Sequence, residues 1–294
     1  MPNLKSLRTR IRSVENTQQI TKAMKMVAAA KLRRSQERAL QTRPYSHGMG
    51  RMIQSIASMV DVQSAPPLLA EARGNKVCIV IFTADRGLCG SFNSGVVRSV
   101  RAKVAELQGN GDKVSIVCVG TKANDVLKRQ FGSLILRVHS GIAKDLNYEK
   151  ADREVASKLL MEFSEKKFDR CLIVFNEFKS AISQELVWKQ IIPMPIAEVE
   201  KKQEADSGGS PFYEPEEDEV LKVLLPQNVT VQIFQALVES DASEHGSRMT
   251  AMDNAVRNAG DMLRKLNTTY NRTRQAVITT ELMEIISGAE SLKG

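Results

Sequence analysis

The apolar positions of this chain fall into three blocks with different periods. From Leu4 to about Val60, Leu4, Leu7, Ile11 and Val14 recur at steps of three and four, which puts them on one stripe of a helix. The stripe continues through Thr17, Thr21, Met24 and Ala28, with Ala29 and Ala30 beside it. Such small or polar residues allow close helix packing but bury less apolar surface. Gly48 is the first glycine of the block, and Pro2 and Pro44 are its only prolines, so little in it stops a helix early. At the other end, Met249, Met252, Val256, Ala259, Leu263, Leu266, Tyr270, Thr273 and Val277 alternate steps of three and four, the spacing of a coiled-coil seam. Pro226 marks a candidate break or late start for this helix, and Gly288 a stop.

Between the two helical blocks the pattern changes. Lys76–Thr83, Val114–Gly120 and Arg170–Asn176 are short β-branched runs, separated by helical stretches such as Ser94–Leu107 and Lys150–Lys167. This alternation predicts an α/β fold, a Rossmann-like domain with a mostly parallel sheet covered on both faces. Lys201–Pro215, with Ser207-Gly208-Gly209-Ser210 and a string of acids, reads as a surface loop. The expected organisation is an N-terminal coiled-coil helix (1–60), an α/β domain (75–200), an acidic loop (201–217) and a C-terminal coiled-coil helix (218–290). A lone seam would face water, so the terminal helices are expected to form a long antiparallel coiled coil with each other. Joining Thr21, Met24 and Ala28 to the Met249/Met252 end makes facing residue numbers add to about 270 to 275. Met24 then lies near Met249 and Met1 beside Tyr270, with the last residues projecting as a single helix.

Charge and composition narrow the class. The 294 residues are 42% hydrophobic and carry a net charge of +8, enough apolar material for a real core. No stretch approaches the roughly 18 consecutive apolar residues of a membrane span. The basic, acid-poor N-terminus resembles a transit peptide in composition, but it lacks the apolar core of a secretion signal. Lys and Arg crowd the segment up to Arg51 while acids crowd Glu198–Glu219, so the basic end suits an acidic partner. The four cysteines, Cys78, Cys89, Cys118 and Cys171, have no metal-ligand spacing, and three sit in apolar runs, as buried reduced thiols do.

Candidate chemistry is sparse. There is no phosphate-loop, dinucleotide or zinc-protease motif, and His47, His139 and His245 stand apart in sequence. Asp85-Arg86-Gly87-Leu88-Cys89-Gly90 follows the first predicted strand, where α/β domains bind ligands. It also reads as a tight strand-to-helix turn in which Gly87 and Gly90 relieve the backbone. The basic first helix could meet nucleic acid, yet it has no interleaved aromatics and no DNA-binding frame around it. Its cations spread around the helix instead of keeping to one face.

Four segments, in order, carry a resemblance: Gln19–Lys31, Asp85–Gly90, Ser247–Ala255 and Ala276–Ala289. Together they resemble the signatures of the γ-subunit family of F-type ATP synthases over essentially the whole chain. The resemblance implies a central-stalk rotor with no catalytic, cofactor or metal site of its own. Its helices would turn inside a hexamer of α and β subunits, and its α/β domain would bind the ε subunit and rest on the c-ring. It carries hexamer contacts over to Met24, Arg248, Gln275, Thr279 and Glu281, with Arg248 suited to an acidic loop of β. It also carries a foot contact with ε and the c-ring over to Tyr213, Glu214 and Pro215. Because the match begins at Pro2, the basic N-terminus is expected to belong to the mature shaft. The insertion and cysteine pair of photosynthetic members are not found, which points to a bacterial type. The expected location is peripheral, on the cytoplasmic face of the inner membrane through the c-ring, without nucleic acid.

Overall fold

The computed structural model describes residues 3–57, 66–69, 74–195 and 217–291, with side chains in the last segment from Glu219 onward. Two compact units are distinguished, residues 29–247 and residues 1–28 with 248–294. Helix α1 (Leu4–Ala57) and helix α6 (Glu217–Ser291) contribute to both.

In the larger unit, β1 (Lys76–Phe82), β2 (Lys113–Val119), β3 (Ile135–His139), β4 (Arg170–Phe178) and β5 (Gln184–Ile192) form one sheet in the order β3-β2-β1-β4-β5. The first four are parallel, and β5 runs antiparallel to β4. The central strand β1 is apolar on both sides because both sides are covered. Val77, Ile79 and Ile81 pack with Val96 and Val100 of α2 (Phe92–Gly109) and Leu127 of α3 (Thr121–Phe131). Cys78, Val80 and Phe82 face Leu159 of α5 (Ser157–Ser164) and Val229, Ile233 and Ala236 of α6. A short α4 (Tyr148–Ala151) and a wide π turn (Asp152–Ala156) lead directly into α5.

Sequence periodicity finds β1, β2 and β4 but not β3 or β5. β3 is five residues long at the sheet edge, and β5 buries only its last two residues, so neither shows an unbroken β-branched run. Pro226 neither breaks nor delays α6, which begins at Glu217 and runs through it. A proline inside a helix costs about 3 kcal/mol. Here the flanking Leu225 and Val229 are buried, and Leu221 and Leu225 pack with Met49, Ile53 and Ile56 of α1, which offsets that cost.

Polar pairs lock α1 to α6 within this unit. Ser46 Oγ donates to Gln235 Oε1 (2.5 Å) and Ser35 Oγ to Asp241 Oδ2 (2.5 Å). Arg43 donates twice to Glu239, at 2.6 and 2.9 Å, and once to the Phe178 carbonyl at 2.8 Å. The Phe178 amide donates to the same Glu239 carboxylate at 3.0 Å. One buried acid thus ties both long helices to the end of β4.

Candidate functional site

In the smaller unit the seam predicted on α6 is realised. Met252 is buried, and Met249, Val256, Ala259, Leu263, Leu266, Tyr270, Thr273 and Val277 are each half-buried, while the residues between them are mostly exposed. On α1 the matching stripe is Leu4, Leu7, Ile11, Val14, Gln18, Thr21, Lys25 and Ala28. Thr17, expected in the seam, is exposed and bonds back to Ser13; Gln18 takes its place and donates to the Val256 carbonyl at 3.3 Å.

The helices are antiparallel, but the expected register is corrected by about one turn. Arg8 meets Tyr270: its guanidinium donates to the phenol oxygen at 3.0 Å and sits 5.9 Å from the ring centre, while Met1, expected there, lies outside the described residues. Lys25 pairs with Asp253 at 2.5 Å. Facing residue numbers therefore add to about 277, which sets Met24 beside the turn at Asp253 instead of at Met249. The sequence estimate erred because the small residues of the α1 stripe are too uniform to distinguish neighbouring turns. Hydrogen bonds from Lys25 and then Arg257 hold the Asp253 carboxyl below its ordinary pKa.

Met24 and Arg248 are half-buried in this unit. Gln275, Thr279 and Glu281 are exposed and lie together on α6, where Thr279 Oγ1 donates to the Gln275 carbonyl at 2.9 Å. Every residue from Ile278 to Ser291 is exposed. The group includes Ile278, Leu282, Met283, Ile285 and Ile286, a stripe of large apolar side chains on an uncovered helix end. Ile20, Met26 and Val27 are likewise more than half exposed. Tyr213, Glu214 and Pro215 lie outside the described residues.

The Asp85–Gly90 segment is a structural turn. Asp85 Oδ1 accepts from the Thr121 amide (3.1 Å) and Oδ2 from the Gly141 amide (2.8 Å), stitching together the ends of β1, β2 and β3. Gly90 adopts a left-handed φ of 57°, but Gly87 does not; the other left-handed residue of the turn is Leu88, at 64°. Across from it, Gly120 has a φ of 97° and approaches the Thr83 carbonyl so closely that a Cβ would sit 1.9 Å from its oxygen. Glycine there is required by both conformation and space.

The described features define a class: an α/β protein whose terminal helices pair and end in an uncovered apolar tip, with no described helix long and apolar enough to cross a membrane. A family model described as ATP synthase matches residues 3–292. An ATP synthase gamma chain from Magnetococcus marinus is 55% identical over 100% of both chains, and one from Chelativorans is 48% identical over 99% of this chain and 100% of that one. The chain belongs to the ATP synthase gamma chain family, whose members are subunits of that complex. Solved structures agree on the fold. A central stalk and c-ring structure of the Tetrahymena thermophila mitochondrial ATP synthase contains a chain matched at TM-score 0.59 and 26% identity, covering 80% of this chain and 99% of that one. A chain of the Euglena gracilis mitochondrial enzyme in its OSCP/F1/c-ring structure matches at TM-score 0.69 and 23% identity, covering 98% of this chain and 94% of that one.

Proposed function

We propose that this chain is the central-stalk rotor of an F-type ATP synthase, itself non-catalytic, coupling proton flow through a c-ring to ATP chemistry on β subunits. The observation that carries the reading is the apolar tip from Ile278 to Ile286, uncovered at the end of α6 in a chain that matches gamma chains along its full length. Enclosing five such side chains in an apolar sleeve would gain on the order of 5 kcal/mol, which suits a shaft end held in a bearing.

A shaft acts as a ligand whose orientation changes. It shifts a β subunit between conformations only if each orientation interacts differently with them. Met24, Arg248, Gln275, Thr279 and Glu281 are the residues we assign to that contact, with Arg248 offering a planar fork to carboxylates. Tyr213, Glu214 and Pro215 are assigned to the foot on ε and the c-ring. The absence of nucleic acid among its partners, and a peripheral position on the cytoplasmic face of a bacterial inner membrane, belong to the same proposal.

Co-expression with α and β subunits tests it. A complex that survives moderate salt and carries no nucleic acid is expected, and failure to assemble removes the proposal. In the assembled enzyme, Arg248→Ala should weaken ATP-driven proton pumping more than it destabilises the isolated chain, as read from its melting temperature. Normal pumping with a large fall in melting temperature would make Arg248 a structural residue.

A further inference from the structure

At the C-terminal end of β3, a cavity of about 440 Å³ opens between that strand and the helical stretch from α4 to α5. Arg137 and His139 line it from the strand side, and Lys150, Glu154 and Lys158 from the helical side. Three cations thus face one acid. Among the described residues each cation has one polar partner: Lys150 Nζ donates to the Gly141 carbonyl at 3.1 Å, Lys158 Nζ to Glu154 at 3.3 Å and Arg137 Nη2 to Glu162 at 2.9 Å. An ammonium has three donors and a guanidinium five, so donors remain on every one.

The wall of the cavity holds an unusual pair of atoms. His139 is only 8% exposed, and neither its Nε2 nor the buried Nε of Arg137 has a hydrogen-bond partner among the described residues. Buried polar atoms without partners are uncommon and call for an explanation. Burial, and then Lys158 and Arg137, hold the imidazole pKa below its ordinary value, with Glu154 opposing them. The cavity lies at the carboxyl end of β3, an edge strand away from the β1/β4 switch point, so its cations and free donors, not its place in the sheet, suit it to an anion.

We propose that this cavity binds the dianionic phosphate group of a small molecule. A dianion is favoured over a single carboxylate because cations line the cavity from both walls. The cavity also exceeds one phosphate in size, leaving room for a small organic group on it. The proposal is independent of the rotor assignment, which concerns α1, α6 and the foot. It is also distinct from the turn at Asp85, whose carboxylate is occupied by the amides of Thr121 and Gly141.

The chain has three histidines, so ring-labelled histidine gives a simple NMR spectrum of the full-length protein. Inorganic phosphate and glycerol 3-phosphate are titrated separately to about 10 mM near pH 7.5, where both are mainly dianionic, at ionic strength held constant with chloride. The His139 signal is expected to move toward the imidazolium position and saturate with Kd on the order of 1 mM, while His47 and His245 stay still. The sign follows from the charge: a bound dianion counters Lys158 and Arg137 and raises the His139 pKa. Lys150→Gln should weaken binding about tenfold by calorimetry, with circular dichroism confirming the fold. Tighter binding of glycerol 3-phosphate identifies a phosphomonoester as the ligand; equal or weaker binding identifies free phosphate. A His139 signal that ignores both probes, or that moves equally in chloride, overturns the proposal, as does Lys150→Gln binding with unchanged affinity.

Discussion

Removing Arg43 should destabilise the larger unit more than removing any other charged side chain on α1. Arg43 makes three hydrogen bonds, two to Glu239 and one to the Phe178 carbonyl, and the Glu239 side chain is only 1% exposed. In Arg43→Met that carboxylate keeps the Phe178 amide alone, and the Phe178 carbonyl loses its donor. Breaking a buried pair from one side costs about 3 to 5 kcal/mol. Because the Arg43 side chain is itself 29% exposed, water can partly replace it, which places the expected loss near the lower figure. Glu239→Gln keeps the shape but turns one accepting oxygen into an NH2 that faces an N–H donor, so about 1.5 to 3 kcal/mol is expected. Replacing both, Arg43→Met with Glu239→Leu, should cost less than the two single changes added together, because no charge is stranded. Trp188, the only tryptophan, sits on β5 and donates to Ser99 Oγ at 2.8 Å, so its fluorescence reports unfolding of this unit in urea. A loss below about 1 kcal/mol for Arg43→Met, or strict additivity in the double mutant, would refute the argument.

Other outcomes follow from the same geometry. Asp253 has a lowered folded pKa, so its pairing with Lys25 contributes above the unfolded carboxylate pKa of about 4 and is lost as pH falls through the folded value; Asp253→Asn should flatten that part of a helicity-versus-pH curve. All four cysteines are buried, and burial pushes the Cys118 thiol up to about 12, so a thiol reagent should label none of them until the chain unfolds in denaturant. Thr21→Cys with Val256→Cys should oxidise to a disulfide, whereas Thr21→Cys with Met249→Cys, displaced by about 10 Å along α6, should not; the reverse pattern would refute the register. Asp85→Ala leaves the Thr121 and Gly141 amides without their acceptor and should lower the stability of the larger unit by about 1 to 3 kcal/mol in the same urea assay.

What could be read from the sequence depended on how local the signal was. The α6 seam is a single element with a strict period, and each of its nine named positions is buried or half-buried. Strands β1, β2 and β4 show themselves because burial on both faces demands unbroken apolar runs. Register needed more, since it is a relation between two helices and Gln18, Thr21 and Ala28 offer no bulky residue to index it. Arg43 and Glu239 were illegible for the same reason, being separated by 196 residues and identical in type to many solvated charges nearby. His139 looked isolated because its neighbours Lys150 and Lys158 come from a helical stretch that the fold, not the local sequence, brings alongside.

The distribution of side-chain size in the smaller unit bears on how that unit works. In an autonomous coiled coil the largest apolar residues occupy the seam and polar ones face water. Here α1 puts Gln18, Thr21 and Ala28 in the seam, and α6 puts Ala259 there, while Ile20, Met26 and Val27 point outward with more than half their surface exposed. The pairing of the two helices therefore gains less from burial per turn than that of the larger unit, where Ile53, Ile56 and Leu221 are fully enclosed. Small seam residues keep the helix pair narrow, and outward apolar residues leave burial still to be gained on its outside. A narrow pair that completes its burial against surrounding chains is what a shaft turning within a protein sleeve requires. The same surface would be a liability for a coiled coil meant to stand alone in water.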